Sequence, residues 1–72
     1  MTAFNHHHRQ FLQYLRHGEW VHSKTLPSAP KTRQQLLENG WMERRSIEGR
    51  LSLRITEAGL AEMKKTALLA SR

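Results

Sequence analysis

Apolar and polar positions alternate in more than one rhythm along this chain, and each change of rhythm marks a new element. Phe4, His8, Phe11, Leu12 and Leu15 recur at helical spacing and form one stripe. Asn5 stands where an N-cap belongs, because its side-chain oxygen can accept from an otherwise unpaired first-turn amide. Gly18 follows the cationic pair Arg16-His17, so the pattern predicts a helix from about Asn5 to His17. Glu19 to Ser23 is too short to stand alone and reads as extended. Ser23 to Pro27 has room for a single helical turn. Pro30 suits the first turn of a second helix, where its missing N–H costs nothing. That helix runs to about Asn39, anchored by Leu36 and Leu37, and Asn39-Gly40 ends it.

After Gly40 the period falls to two. Arg50 to Thr56 alternates strictly, with Leu51, Leu53 and Ile55 on one face and Arg50, Ser52 and Arg54 on the other. Trp41 to Ser46 precedes it as the partner strand, and Ile47-Glu48-Gly49 supplies the turn. A two-stranded hairpin is marginal alone and must rest on the helices. Thr56 then caps a last helix from Glu57 to about Leu69, with Leu60, Met63 and Ala67 facing inward and Lys64 at the edge of that stripe. The expected fold class is α+β, mainly α: three helices and a two-stranded β-hairpin in one domain over residues 1–72.

Composition narrows what such a domain can do. The 72 residues carry 12 Lys and Arg against 6 acids, a net charge of +6. A domain of about 60 residues buries only about 60% of its unfolded surface, which excludes a large enzyme with a deep cleft. With no cysteine there is no disulfide, thiolate zinc site or cysteine nucleophile. No apolar run approaches the roughly 20 residues that span a bilayer, and the N-terminus leads into histidines rather than a signal core. The expectation is a cytoplasmic protein with no membrane partner. The cationic excess points to a polyanion, nucleic acid first.

Two residue groups invite other chemistry. His6, His7 and His8 are consecutive, so on a helix they point in three directions and do not converge on a metal. His8 lies on the apolar stripe and is expected to be partly buried. Trp20 and Trp41 flank a short core and read as packing residues rather than base-stacking platforms. No nucleophile with its base, no carboxylate pair and no phosphate-cradling glycine loop can be assembled. The reading is a non-enzyme without metal or cofactor.

The stretch from Gln35 through Asn39-Gly40-Trp41-Met42-Glu43-Arg44-Arg45, followed by Arg50 to Leu60 with its Ile55-Thr56-Glu57-Ala58-Gly59 segment, resembles the winged helix-turn-helix domain. It is similar to small bacterial and phage regulators whose recognition helix ends in a glycine. The resemblance extends from about Phe11 to Met63, and the Ile-Thr-Glu-x-Gly segment is its most specific part. In one respect the chain departs from the family. The helix that ordinarily precedes the recognition helix is compressed into Ser23 to Ala29, with Pro27 inside it.

The resemblance implies that the helix over about 30–39 enters the major groove of double-stranded DNA and that a wing over 42–55 contacts backbone or minor groove. Around that helix Lys31, Gln34 and Gln35 fall opposite the leucines, with Glu38, and are the expected base readers. Arg33 lies in the leucines' direction, so it snorkels or reaches phosphate from the flank. On the wing, Arg50 beside Gly49 is the expected backbone contact; Arg44 and Arg54 are further candidates, or protection of a strand edge. Lys24, in the turn before Pro27, is a candidate phosphate contact. The function implied is transcriptional regulation, with a footprint small enough to favour a homodimer through the last helix. The alternative is a protein-interaction module on the same scaffold, such as a phage inhibitor or accessory factor. A fainter one is an RNA binder using the same basic face.

Overall fold

A computed structural model describes residues 3–70, and side chains as far as residue 65. Helix α1 spans His6–Gln13. Its start is a capping box: Asn5 Oδ1 accepts from the amides of His7 and His8 at 3.0 and 3.2 Å, and His8 Nδ1 accepts from the Asn5 amide at 3.0 Å. Histidine thus takes the place that Glu or Gln ordinarily holds in this motif. The helix is shorter than its apolar stripe predicts. From Tyr14 the chain continues in tighter turns, with Leu15 N–H donating to Leu12 O and Gly18 N–H to Leu15 O, before Gly18 leaves at a φ of 76°. The stripe itself is intact, with Phe11, Leu12 and Leu15 buried.

The hairpin acquires a third strand. Strand β1, Val21–His22, pairs antiparallel with β3, Arg50–Ile55, which also pairs with β2, Met42–Ile47, giving the order β1-β3-β2. Val21 faces Leu53 and His22 faces Ser52, while Met42 opposes Ile55 and Ile47 opposes Arg50. The two residues between Ile47 and Arg50 both take positive φ, 51° at Glu48 and 76° at Gly49, the signature of a tight hairpin turn matched to strand twist. The predicted apolar face holds for Leu53 and Ile55, which are buried with Met42. Leu51 lies past the helices at the hairpin tip and is 47% exposed. Ser52, on the opposite face, is buried. That face is partly covered: the Trp20 ring lies 4.5 Å from the guanidinium of Arg54 and 5.8 Å from that of Arg45, the residues flanking Ser52.

Helix α2, Pro30–Glu38, begins at Pro30 with no side-chain cap, because Ala29 precedes it in the left-handed conformation at φ 30°. It ends in a paired glycine motif: Gly40 N–H donates to Leu37 O and Trp41 N–H to Leu36 O, with Gly40 at φ 74°. Helix α3, Glu57–Ala70, is joined to that ending by Thr56. Thr56 Oγ1 accepts from Gly59 N–H at 3.1 Å and donates to Gly40 O at 2.6 Å, and Thr56 N–H donates to Trp41 O at 3.1 Å. The helix then passes so close to Trp41 that a Cβ at Gly59 would stand 2.2 Å from its carbonyl oxygen.

This approach rotates α3 away from the expected orientation. Gly59 is buried and Met63 packs on the core, whereas Leu60 is exposed and Lys64 is fully outside the stripe. The side chains of Ala67, Leu68 and Leu69, and with them the expected dimer surface, lie outside the described residues. Among the described residues the core is Phe11, Leu12, Leu15, Leu26, Leu36, Met42, Leu53 and Ile55, drawn from α1, α2, β2, β3 and the segments that follow α1 and the 3₁₀ turn.

Candidate nucleic-acid interface

The eight polar residues expected at a DNA surface divide into two groups. Lys24, Lys31, Gln34, Arg44 and Arg50 are exposed. Arg33, Gln35 and Arg54 are bound within the protein, and the reason differs for each. Arg33 turns back along α2 toward the preceding turn. Its Nε donates to Pro27 O at 3.1 Å, Nη2 donates to Ser23 O, Leu26 O and Pro27 O at 3.0, 3.2 and 2.6 Å, and Nη1 donates to Ser23 Oγ. Its guanidinium carbon also lies 5.4 Å from the centre of the Phe11 ring. Most of the guanidinium's donors are thus turned inward to the preceding turn rather than outward to the flank.

Gln35 is held by His8. Because His8 Nδ1 accepts the Asn5 amide, its proton resides on Nε2, which donates to Gln35 Oε1 at 2.8 Å. Gln35 is therefore half-buried against α1 and is not one of the outward base readers. Arg54 pairs with the carboxylate of Glu43 on the neighbouring strand, Nε to Oε1 at 2.8 Å, and stacks on Trp20. Half-exposed pairs of this kind contribute little stability on their own. Here the pair and the ring together fix Arg54 on the covered face of the sheet.

His8 is fully buried, more deeply than its place on the stripe suggested. Its ring lies 5.2 Å from Trp41 and 5.7 Å from Phe4, and Phe4 meets Trp41 edge-on at 5.0 Å. His6 and His7 are exposed, with ring centres 4.0 Å apart. Among the described residues no three His, Cys, Asp or Glu side chains come together to hold a metal ion. Nor is any described helix long and apolar enough to cross a membrane.

The exposed residues are brought together in two places. A cleft of about 570 Å³ between the turn Ser23–Thr25 and the hairpin tip is lined by His22, Ser23, Lys24, Gly49, Arg50 and Leu51. Two cations far apart in sequence thus share one opening. A second groove, of about 490 Å³, runs between α2 and β2 and carries Gln34, Glu38, Glu43 and Arg44 over Leu37 and Met42. Lys31 is exposed near the start of α2, one turn before Gln34. Arg45 was not among the expected contacts, yet it is exposed on the Trp20 face. Strand alternation alone separates it from Arg44, since neighbours on a strand point to opposite faces.

Compared with models of protein families, with curated proteins and with solved structures, the chain matches none.

Proposed function

We propose that this protein binds double-stranded DNA as a winged helix, acting as a small regulator of the bacterial or phage type, with α2 in the major groove and the β2–β3 hairpin as the wing. Three helices with an antiparallel hairpin between the second and third are compatible with this reading, although a single turn, Ser23–Thr25, stands where the family has a full helix. The observation that carries it is the shared cleft of Lys24 and Arg50, a cationic opening between the turn before α2 and the hairpin tip. In this arrangement Lys24, Arg44 and Arg50 neutralise phosphates, which supplies affinity without sequence information. Lys31 and Gln34 face the bases. Lysine donates to guanine O6 and N7, and glutamine can pair bidentately with adenine.

A salt series on a generic duplex tests the proposal. Affinity should fall steeply from about 50 to 200 mM salt, and Lys24→Ala and Arg50→Ala should each lower the log–log slope by about one. A flat salt dependence, or slopes unchanged by both substitutions, would sink it. Gln34→Ala should alter preference among sequences while leaving the slope in place.

The protein-interaction alternative has one observation in its favour. Leu51 at the hairpin tip and Tyr14 beyond α1 are 47% and 58% exposed, side chains of the kind that anchor protein contacts. That role predicts a duplex affinity no greater than the charge of the chain alone would give.

A further inference from the structure

The segment between β1 and α2 should not hold its shape by itself. Its only regular structure is the 3₁₀ turn Ser23–Thr25, which has no side-chain bond at its N-cap. Single turns of this kind are intrinsically poor, and one turn of helix does not reach the length at which helices sustain themselves. Pro27 and Pro30 each remove a backbone donor, and Ala29 sits in a left-handed conformation that a Cβ disfavours. Yet Leu26 from this segment is buried in the core, and Lys24 within it lines the cleft with Arg50.

Beyond the turn's own Thr25 and Leu26 bonds, one side chain ties the segment to both helices. Arg33 donates to the carbonyls of Ser23, Leu26 and Pro27 and to the Ser23 hydroxyl, while its guanidinium lies over Phe11 of α1. Its own amide donates to Ala29 O at 2.9 Å, inside α2. One fork therefore bridges α1, the turn and α2. We propose that Arg33 is a positioning residue that takes the place of the missing first helix of the helix-turn-helix. It latches the turn to α2, and so aims Lys24 into the cleft that Lys24 shares with Arg50. The part concerning Lys24 rests on the duplex-binding reading; the latch does not.

Lysine is the discriminating substitution. It keeps the charge but loses the planar fork that reaches several carbonyls at once. In Arg33→Lys, exchange of the Leu26 amide, which donates to Ser23 O, should accelerate about tenfold or more, while Leu12, Leu36 and Leu53 stay protected. Ser23→Ala, which removes one acceptor and touches no charge, should move the same amide by a smaller factor. Duplex affinity of Arg33→Lys should fall about as far as that of Lys24→Ala, and Lys24→Ala should cost little more once Arg33→Lys is present. Unchanged exchange in Arg33→Lys would overturn the latch. Wild-type affinity in Arg33→Lys would show that only the charge matters, as for an ordinary phosphate contact. Independent losses in the double variant would mean that Arg33 does not aim Lys24. If the unaltered protein shows no salt-dependent duplex binding, the aim fails together with the functional reading, and exchange alone decides on the latch.

Discussion

At the entrance to α3 the joint is made at close range, by backbone contact and by the short hydroxyl of Thr56. Thr56 caps the helix and reaches Gly40, while Gly59 lets the helix backbone come against the Trp41 carbonyl. At the entrance to α2 nothing of the kind exists. Ala29 offers no cap and sits at a strained φ of 30°, and the turn before it depends on the Arg33 side chain. The two joints differ in how they fail. A joint made by close backbone contact tolerates no added atom. One made by a long side chain tolerates small changes around it but is lost when that side chain changes. The first joint fixes the hairpin on the core, and the second carries Lys24 at the edge of its cleft.

The largest effect should come from Gly59→Ala. Helix propensity alone favours alanine by about 1 kcal/mol. The added Cβ, however, would stand 2.2 Å from the Trp41 oxygen and 2.8 Å from Ile55 Cγ1, neither of which can yield cheaply. Overpacking of this severity should win, leaving the variant less stable by about 3 kcal/mol in urea unfolding. Equal or greater stability would mean that α3 does not approach Trp41 as described. Next comes Thr56→Ala, which removes both the cap and the bond to Gly40 and should cost about 1–2 kcal/mol. Thr56→Ser should recover most of that; if it does not, the hydroxyl is not the source of the effect.

Ala29→Gly works in the other direction, at the latched joint. Removing the Cβ from a left-handed residue should stabilise the protein by about 0.5–1 kcal/mol, net of glycine's greater freedom when unfolded. A loss of stability would show that the alanine methyl matters more as packing than as strain. Smallest of all, Glu48→Asn should add about 0.5 kcal/mol, because asparagine suits the positive φ of the hairpin turn. It lies in neither joint, so amide exchange around Thr56 and around Ser23 should stay as it was; a change at either would tie the hairpin tip to that joint.

Much of the fold was legible in short-range pattern. Asn5 as a cap, Gly40 as a helix stop, Glu48-Gly49 as a turn and Thr56 as the start of α3 each depend on residues a few positions apart. The third strand was not, since Val21–His22 is too short to show a period and exists only because β3 offers it an edge. The candidate site was legible in part. Lys24, Lys31, Gln34, Arg44 and Arg50 are exposed as expected, and helical angles set Arg33 toward the leucines, but they placed Gln35 with the outward Lys31 and Gln34. A long polar side chain at the border of an apolar stripe can turn either way. Its choice depends on a partner elsewhere in the chain, Ser23 to Pro27 for Arg33 and His8 for Gln35. For Arg54 the partner was Glu43 across the hairpin, together with Trp20 from the far side of the sheet.

By itself, then, the order of residues determined where the helices begin and end, where the hairpin turns and which apolar side chains could form a core. Capping, turn geometry and amphipathic period act over one or two turns of chain, so each is decided locally. Tertiary structure decided which cations stay exposed, how deeply His8 is buried and which face α3 turns inward. Those outcomes rest on hydrogen bonds and contacts between different elements of the chain, such as Arg33 to Ser23 and His8 to Gln35. No period in the chain encodes them, because the partner of each polar group exists only once the backbone has brought it within reach.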